Sequence, residues 1–293
     1  MPAPLHFEPP TALEYFAALV ADDASLSVLE AAVAVAQDDA PELDTQAVLA
    51  EVDALAARLA RRIPADAAPM QRLRLLNHYF FGELGFAGNV NDYYDRRNSY
   101  LPDVLRTRRG IPITLALLYV ELATQVGLDA SGVSFPGHFL VAVRVQTSGR
   151  AGEVVIDPFD GRSLSREDLE ERLLPYRRAR GAVAGDDLPL ALFMQRAEPR
   201  AVIARLLRNL KEIHRGARDW QRLMAVLDRL VILLPDVWVE RRDRGLTWAE
   251  LGRTDQAAAD VASYLEHVPQ AADAPALRRR LLAWQAGPGA PSQ

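Results

Sequence analysis

Two residues with the means for chemistry are His138, in Phe135-Pro136-Gly137-His138-Phe139-Leu140, and Asp157, in Ile156-Asp157-Pro158-Phe159-Asp160-Gly161. An imidazole oriented by a carboxylate can act as a general base. With a nucleophile in reach it would drive acyl transfer. The same two side chains can equally form a structural hydrogen-bonded pair. The chain has no cysteine, so thiolate catalysis, disulfides and Cys-based zinc sites are excluded together. The hydroxyls that could replace a thiol are Ser99 and Thr114. Thr114 falls one turn into a helix, where a hydroxyl more often bonds backbone. Arg109 stands just before that helix. Its planar fork suits a carboxylate or phosphate, and the helix N-terminus adds partial positive charge; it could equally brace Asp157 or Asp160. Asn98 and Tyr100 close a polar, Tyr-rich stretch that begins at Asn89 and are further ligand-binding candidates. Asx turns explain the same composition. The five histidines are His6, His78, His138, His214 and His267, and none forms a His-x-x-x-His pair. No metal site and no cofactor are expected.

These side chains need a helix and two strands to hold them. Gly110 offers dihedrals closed to bulkier residues, and Pro112 suits a first helical turn. Leu115, Leu118, Tyr119 and Leu122 then recur as one buried helix face, with Gly127 as its C-cap. Val133 to Val145 reads as a β-rich run interrupted at Pro136-Gly137, with His138 near a strand start. Val154 to Ile156 reads as the next strand, ended by Asp157-Pro158. Residues 11–62 read as helices packed as a layer on this core, with Ser25 as an N-cap. Gln71 to Leu84 reads as another helix. Ser165 and Asp168 have capping-box spacing. Pro175 and the segment 181–187 mark a hinge or linker.

A chain of 293 residues suggests about two domains. Its 49% hydrophobic and 25% charged content fit a soluble globular protein. No apolar run is long enough for a membrane helix, and Met1 to Pro10 lacks a signal-peptide layout. Cytoplasm is the expected location, with no membrane partner. The net charge of −5 is uneven: residues 196–293 carry 16 Arg or Lys against 12 Asp or Glu. A nucleic-acid groove needs a denser basic stripe, so no nucleic-acid partner is expected. Pro235 and Pro269 lie 34 residues apart, the tetratricopeptide period. A unit begun at Trp238 places Gly245, Trp248, Gly252 and Ala257 where paired helices approach. The preceding unit, Ala204 to Val237, is degenerate, with Lys211 and Arg218 at small-residue positions. A last helix, about Pro275 to Trp284, would cap the stack.

The order helix, His strand, Asp strand resembles the transglutaminase-like (papain-like) core, in which the cysteine position would fall at about Pro112. More closely, Tyr93-Tyr94-Asp95, Asn98-Ser99-Tyr100-Leu101, Arg109-Gly110-Ile111-Pro112-Ile113-Thr114 and the His138 and Asp157 motifs resemble the bacterial SirB group, transglutaminase-like proteins with C-terminal tetratricopeptide repeats. The resemblance implies an α+β fold: a helical N-terminal layer plus a transglutaminase-like core over residues 1–195, then an all-α tetratricopeptide-repeat domain over 196–293. It supplies no settled activity. The expectation is a non-catalytic scaffold or regulatory protein that binds a protein partner through its repeats, with His138 and Asp157 as a remnant dyad. The alternatives are a cysteine-independent amide hydrolase using that dyad, and a sensor of small anionic ligands.

Overall fold

The computed structural model describes residues 10–147, 150–179 and 188–286. The start of the chain and the expected linker at 181–187 lie outside the described residues. The described chain forms two compact units. One comprises Leu26–Ala36 and Glu42–Leu206; the other takes the chain before Leu26, Gln37–Pro41, and everything from Leu207.

The first unit is built around helix α6, Pro112–Gln125, which follows α1 (Ala12–Leu19), α2 (Val28–Ala34), α3 (Thr45–Ala60), α4 (Pro69–Asn77) and α5 (Leu101–Thr107). Pro112 stands in its first turn and Gly127 follows its end at φ +79°, the left-handed cap that glycine accommodates. Leu115, Leu118, Tyr119 and Leu122 are fully buried, as their spacing requires. α2, α3, α4 and α5 pack on this helix from the layer side, and the sheet covers another face. Two short strands, β1 (Ala87–Gly88) and β2 (Arg109–Gly110), pair in parallel just before it. Gly110 is needed here for close approach, since an added Cβ would lie 2.8 Å from Thr114 Oγ1. The dihedral freedom inferred from the sequence is not what it supplies, because its φ is not positive.

The main sheet is antiparallel, in the order β3 (Asp129–Val133), β4 (Leu140–Thr147), β5 (Arg150–Ile156), β6 (Ser163–Leu164). Val141 faces Ile156 and Val143 faces Val154, so the His138 and Asp157 ends of neighbouring strands meet. After β6, Ser165 and Asp168 cap α7 (Arg166–Ala179) reciprocally: Ser165 N–H donates to Asp168 Oδ2 at 2.8 Å, and Asp168 N–H to Ser165 Oγ at 3.1 Å. The helix runs through Pro175, where the sequence suggested a hinge. Leu169 and Leu173 anchor it in the cluster of Val133, Phe135, Leu140 and Val155. Helix α8 (Leu190–Phe193) rests on the same cluster through Leu190 and Phe193.

Three details of the helical layer differ from the reading of the sequence. The cap of α2 is Ser27, whose hydroxyl accepts from Glu30 N–H, two residues beyond Ser25. The run from Gln71 leaves α-geometry at His78 and finishes as a π-helical turn, His78–Glu83. The first helix does not join the core layer. α1 packs on α10, and Phe16 is buried beneath the guanidinium of Arg229.

The second unit is all α. It contains the end of α9 (Pro199–Ala217), then α10 (Trp220–Leu233), α11 (Trp238–Glu250), α12 (Thr254–His267) and α13 (Ala274–Ala286), each packed on the next from α10 onward. Gly245 on α11 lets α12 approach: a Cβ there would lie 3.0 Å from both Asp260 Cβ and Val261 Cγ2. Lys211, the chain's single lysine, is buried between Glu240 and Asp243. A charged side chain is tolerated at that small-residue position because two carboxylates meet it. No described helix is long and apolar enough to cross a membrane.

Candidate functional site

His138 is delivered by a tight turn. Phe135, Pro136, Gly137 and His138 are closed by a bond from His138 N–H to Phe135 O at 3.1 Å. Gly137 has φ +68°, as the third residue of a type II turn requires, and Pro136 suits the second position. Gly137 is also required by contact, because a Cβ would collide with the Tyr176 hydroxyl.

Asp157 directly follows β5 and starts a second closed turn, with Gly161 N–H donating to Asp157 O at 2.8 Å. Its carboxylate is buried and fully engaged. Oδ1 lies 2.8 Å from His138 Nε2 and accepts Phe159 N–H at 3.0 Å; Oδ2 accepts Arg172 Nη1 at 2.8 Å. Burial pushes this carboxyl upward, but the hydrogen bond and charge of His138, the Phe159 N–H and Arg172 outweigh it, and the net pKa is lowered. Asp157 is therefore held as an anion against the half-buried imidazole.

The hydroxyls lead elsewhere. Thr114 is 0% exposed. Its Oγ1 accepts Ile111 N–H at 3.2 Å and lies 2.8 Å from Asn98 O and 3.0 Å from Ile111 O. It ties the N-terminus of α6 to the preceding segment. Ser99 is equally enclosed, and no group bonds its Oγ. Asn98 is also structural in its contacts: Nδ2 donates to Asp92 O and Tyr93 O at 2.7 and 3.1 Å, and Oδ1 accepts Asn89 Nδ2 at 3.0 Å. It folds the Tyr93–Tyr94 loop. Tyr100 is buried at the N-cap of α5. Arg109 is exposed and spends Nη1 on Gly85 O at 2.7 Å and Arg108 O at 2.9 Å. The brace on Asp157 is Arg172 instead.

Three side chains that the motifs did not reveal complete the surroundings: Arg172 and Tyr176, one turn apart on α7, and Arg205 on α9. The first two were open to inference. Ser165–Asp168 starts a helix right after the Asp157 strand, and residues 169, 172, 173 and 176 share one face at helical spacing. Arg205 comes from a distant helix and carried no local signal. Among the described residues, no three His, Asp or Glu side chains gather as metal ligands. An open depression of about 600 Å³ lies at the other end of β4, lined by Asp129, Arg144 and Glu153 among others; it contains none of the residues above.

This geometry has relatives. The transglutaminase-like superfamily matches residues 46–208, and the tetratricopeptide repeat family matches residues 210–282. A UPF0162 protein of Xylella fastidiosa is 35% identical over 262 residues, covering 89% of this chain and 91% of its own. The chain belongs to the UPF0162 family of transglutaminase-like proteins. A second UPF0162 protein, from Vibrio cholerae, is 28% identical over 65% of this chain and 67% of its own. F-box only protein 21 of Mus musculus is 44% identical over 71 residues, 24% of this chain and 11% of that one. No solved structure matches. In this UPF0162 protein the helix, His strand and Asp strand of the transglutaminase-like core are all present. Pro112 stands at the cysteine position implied by the resemblance, in the first turn of α6.

Proposed function

We propose that this UPF0162 protein is a non-catalytic transglutaminase-like protein, of the SirB type, that acts in the cytoplasm as a scaffold or regulatory protein. It holds another protein through its tetratricopeptide repeats. The observation that carries this reading is that, among the described residues, neither hydroxyl that could replace the thiol is open to His138. The chain has no thiol, Pro112 has no nucleophilic atom, and both Thr114 and Ser99 are fully enclosed. A base without a nucleophile cannot form the covalent intermediate on which the thiol members of such a fold depend. What remains is a rigid core joined to an array of helix pairs, the architecture that offers extended binding surfaces.

The test uses the full chain as bait in three forms: wild type, His138→Ala, and a triple variant of exposed α13 residues, Arg279→Glu, Arg280→Glu and Leu282→Arg. A discrete protein held by the first two and released by the third supports the scaffold. A protein or product that accumulates on His138→Ala and not on the wild type marks a trapped substrate, and would replace the scaffold with a water-activating amide hydrolase.

A further inference from the structure

Among the described residues, the Arg205 guanidinium has no counter-ion. Nη1 donates to Ser134 Oγ at 2.7 Å and Phe135 O at 3.1 Å, and Nη2 donates to His138 O at 2.7 Å. All of these acceptors are neutral. Among the described residues no carboxylate pairs with it, and the nearby Asp157 is already committed to His138 and Arg172. Burial lowers the Arg205 pKa, opposed by the Tyr93 and Tyr176 phenols. A guanidinium taken out of water without a counter-charge is costly unless something else holds it.

The donors still free are Nε–H and one Nη2 N–H. Nε–H and the Nη2 N–H beside it form, in any guanidinium, the edge that grips a carboxylate with two parallel bonds, and Nη2 has one protein acceptor among the described residues. Arg205 is only partly buried. Tyr93 and Tyr176 lie close enough to act on the charge of this guanidinium, and Tyr94 packs on Tyr93. Tyr93 and Tyr176 are each 43% exposed and Tyr94 is 78% exposed. Tyr93 packs edge-on against Tyr94 at 5.3 Å and lies 6.0 Å from the Phe159 ring. Exposed tyrosines beside a half-buried arginine are the composition of an interface hot spot.

We propose that this mouth binds the carboxylate of a peptide, gripped by the free edge of Arg205, with Tyr93, Tyr94 and Tyr176 packing on the adjoining side chain. The site lies wholly within the core unit and does not rest on the repeat domain's role. A C-terminal carboxylate and an Asp or Glu side chain offer the same chemistry, and the probes separate them. Three peptides are titrated into the full chain by calorimetry: acetyl-Phe-Ala with a free carboxylate, acetyl-Phe-Ala-amide, and acetyl-Phe-Glu-amide. Binding of the first alone assigns a chain terminus; binding of the third alone, or of both, assigns an acidic residue or any peptide carboxylate. The neutral amide gives no binding. Arg205→Gln weakens binding about tenfold or more, and Arg205→Lys recovers part of it, since charge returns without the fork. Arg205 also holds the 134–138 turn, so Tyr94→Ala serves as a second variant that leaves the turn intact, and it weakens binding severalfold. No binding by any peptide at millimolar concentration, equal binding of the neutral amide, or equal binding by Arg205→Gln and Tyr94→Ala overturns the proposal.

Discussion

Asp157 in the core unit and Asp243 in the repeat unit are both buried carboxylates held by several cations, yet they are built for different ends. Asp243 meets Lys211 Nζ at 2.6 Å, Arg215 Nη2 at 2.7 Å and Arg242 Nη2 at 2.7 Å. Arg242 continues to Asp273, and Lys211 and Arg208 continue to Glu240. Every carboxylate in that ladder has more than one partner, Asp273 taking the Tyr264 hydroxyl as well as Arg242. Asp157 instead spends one oxygen on a histidine that reaches solvent, and it sits beside an arginine with an unused edge. A ladder saturated with permanent charges fixes helices. A site with a titratable ring and a free donor edge is arranged to meet something else.

The ladder predicts the largest effect. Asp243→Ala takes one carboxylate from Lys211, Arg215 and Arg242, leaving them Glu240, Glu212 and Asp273, and removing one partner of a buried ion pair costs up to about 3–5 kcal/mol. Urea denaturation followed by circular dichroism measures it. A loss below about 1 kcal/mol, the scale of an exposed pair, would show that water reaches the ladder and would erase the contrast. Gly245→Leu comes next. The added side chain must enter the α11–α12 contact, where Asp260 Cβ and Val261 Cγ2 already stand 3.0 Å from a first carbon. Overpacking of this kind costs about 1–3 kcal/mol, and an unchanged midpoint would mean that the helices separate freely.

Thr114→Val tests the core side of the comparison. If the hydroxyl is a tie between α6 and Asn98, its loss leaves Ile111 N–H without its side-chain acceptor and costs about 1–2 kcal/mol. Thermal melting reads this directly. A variant as stable as the wild type would release Thr114 from its structural duty and reopen it as a nucleophile.

The contrast between the regions also governs what could be read in advance. α6 was legible because burial on one helix face leaves a periodic trace in Leu115, Leu118 and Leu122. The repeat was legible because Gly245 and Ala257 must be small where helices touch. The Asp157 neighbourhood was half legible. His138 and Asp157 sit in turn motifs whose Pro and Gly residues mark local conformation, and strand register brings them together at 2.8 Å. Arg205 was invisible because nothing local in α9 distinguishes it from Arg200 or Arg208. Arg109 was read for an anion site from its place before a helix, and nothing in the sequence signalled that its Nη1 would reach the carbonyls of Gly85 and Arg108. The first helix was misplaced because amphipathic spacing shows that a face is buried but not against what. Phe16 found Arg229 and α10 rather than α6.

His138→Gln is expected to change stability least and to sharpen the comparison most. Glutamine keeps a donor in reach of Asp157, so the loss at neutral pH should be about 0.5–1.5 kcal/mol. The informative variable is acid. The folded-state pKa values of Asp157 and Asp243 lie below the ordinary carboxylate value. Stability from such groups is present above the unfolded pKa of about 3.9 and is lost as pH falls through the folded values. Asp38 and Asp228, raised by burial, oppose this trend. In wild type the melting temperature should therefore decline below about pH 4, near the unfolded carboxylate pKa. His138 supplies the largest influence lowering the Asp157 pKa, so in His138→Gln that carboxyl should rise and its part of the acid decline should shrink. The Asp243 ladder, with no histidine, should keep its part. A His138→Gln profile that superimposes on wild type at every pH would mean that Arg172 and the Phe159 N–H hold Asp157 unaided, and that the two carboxylates are alike after all.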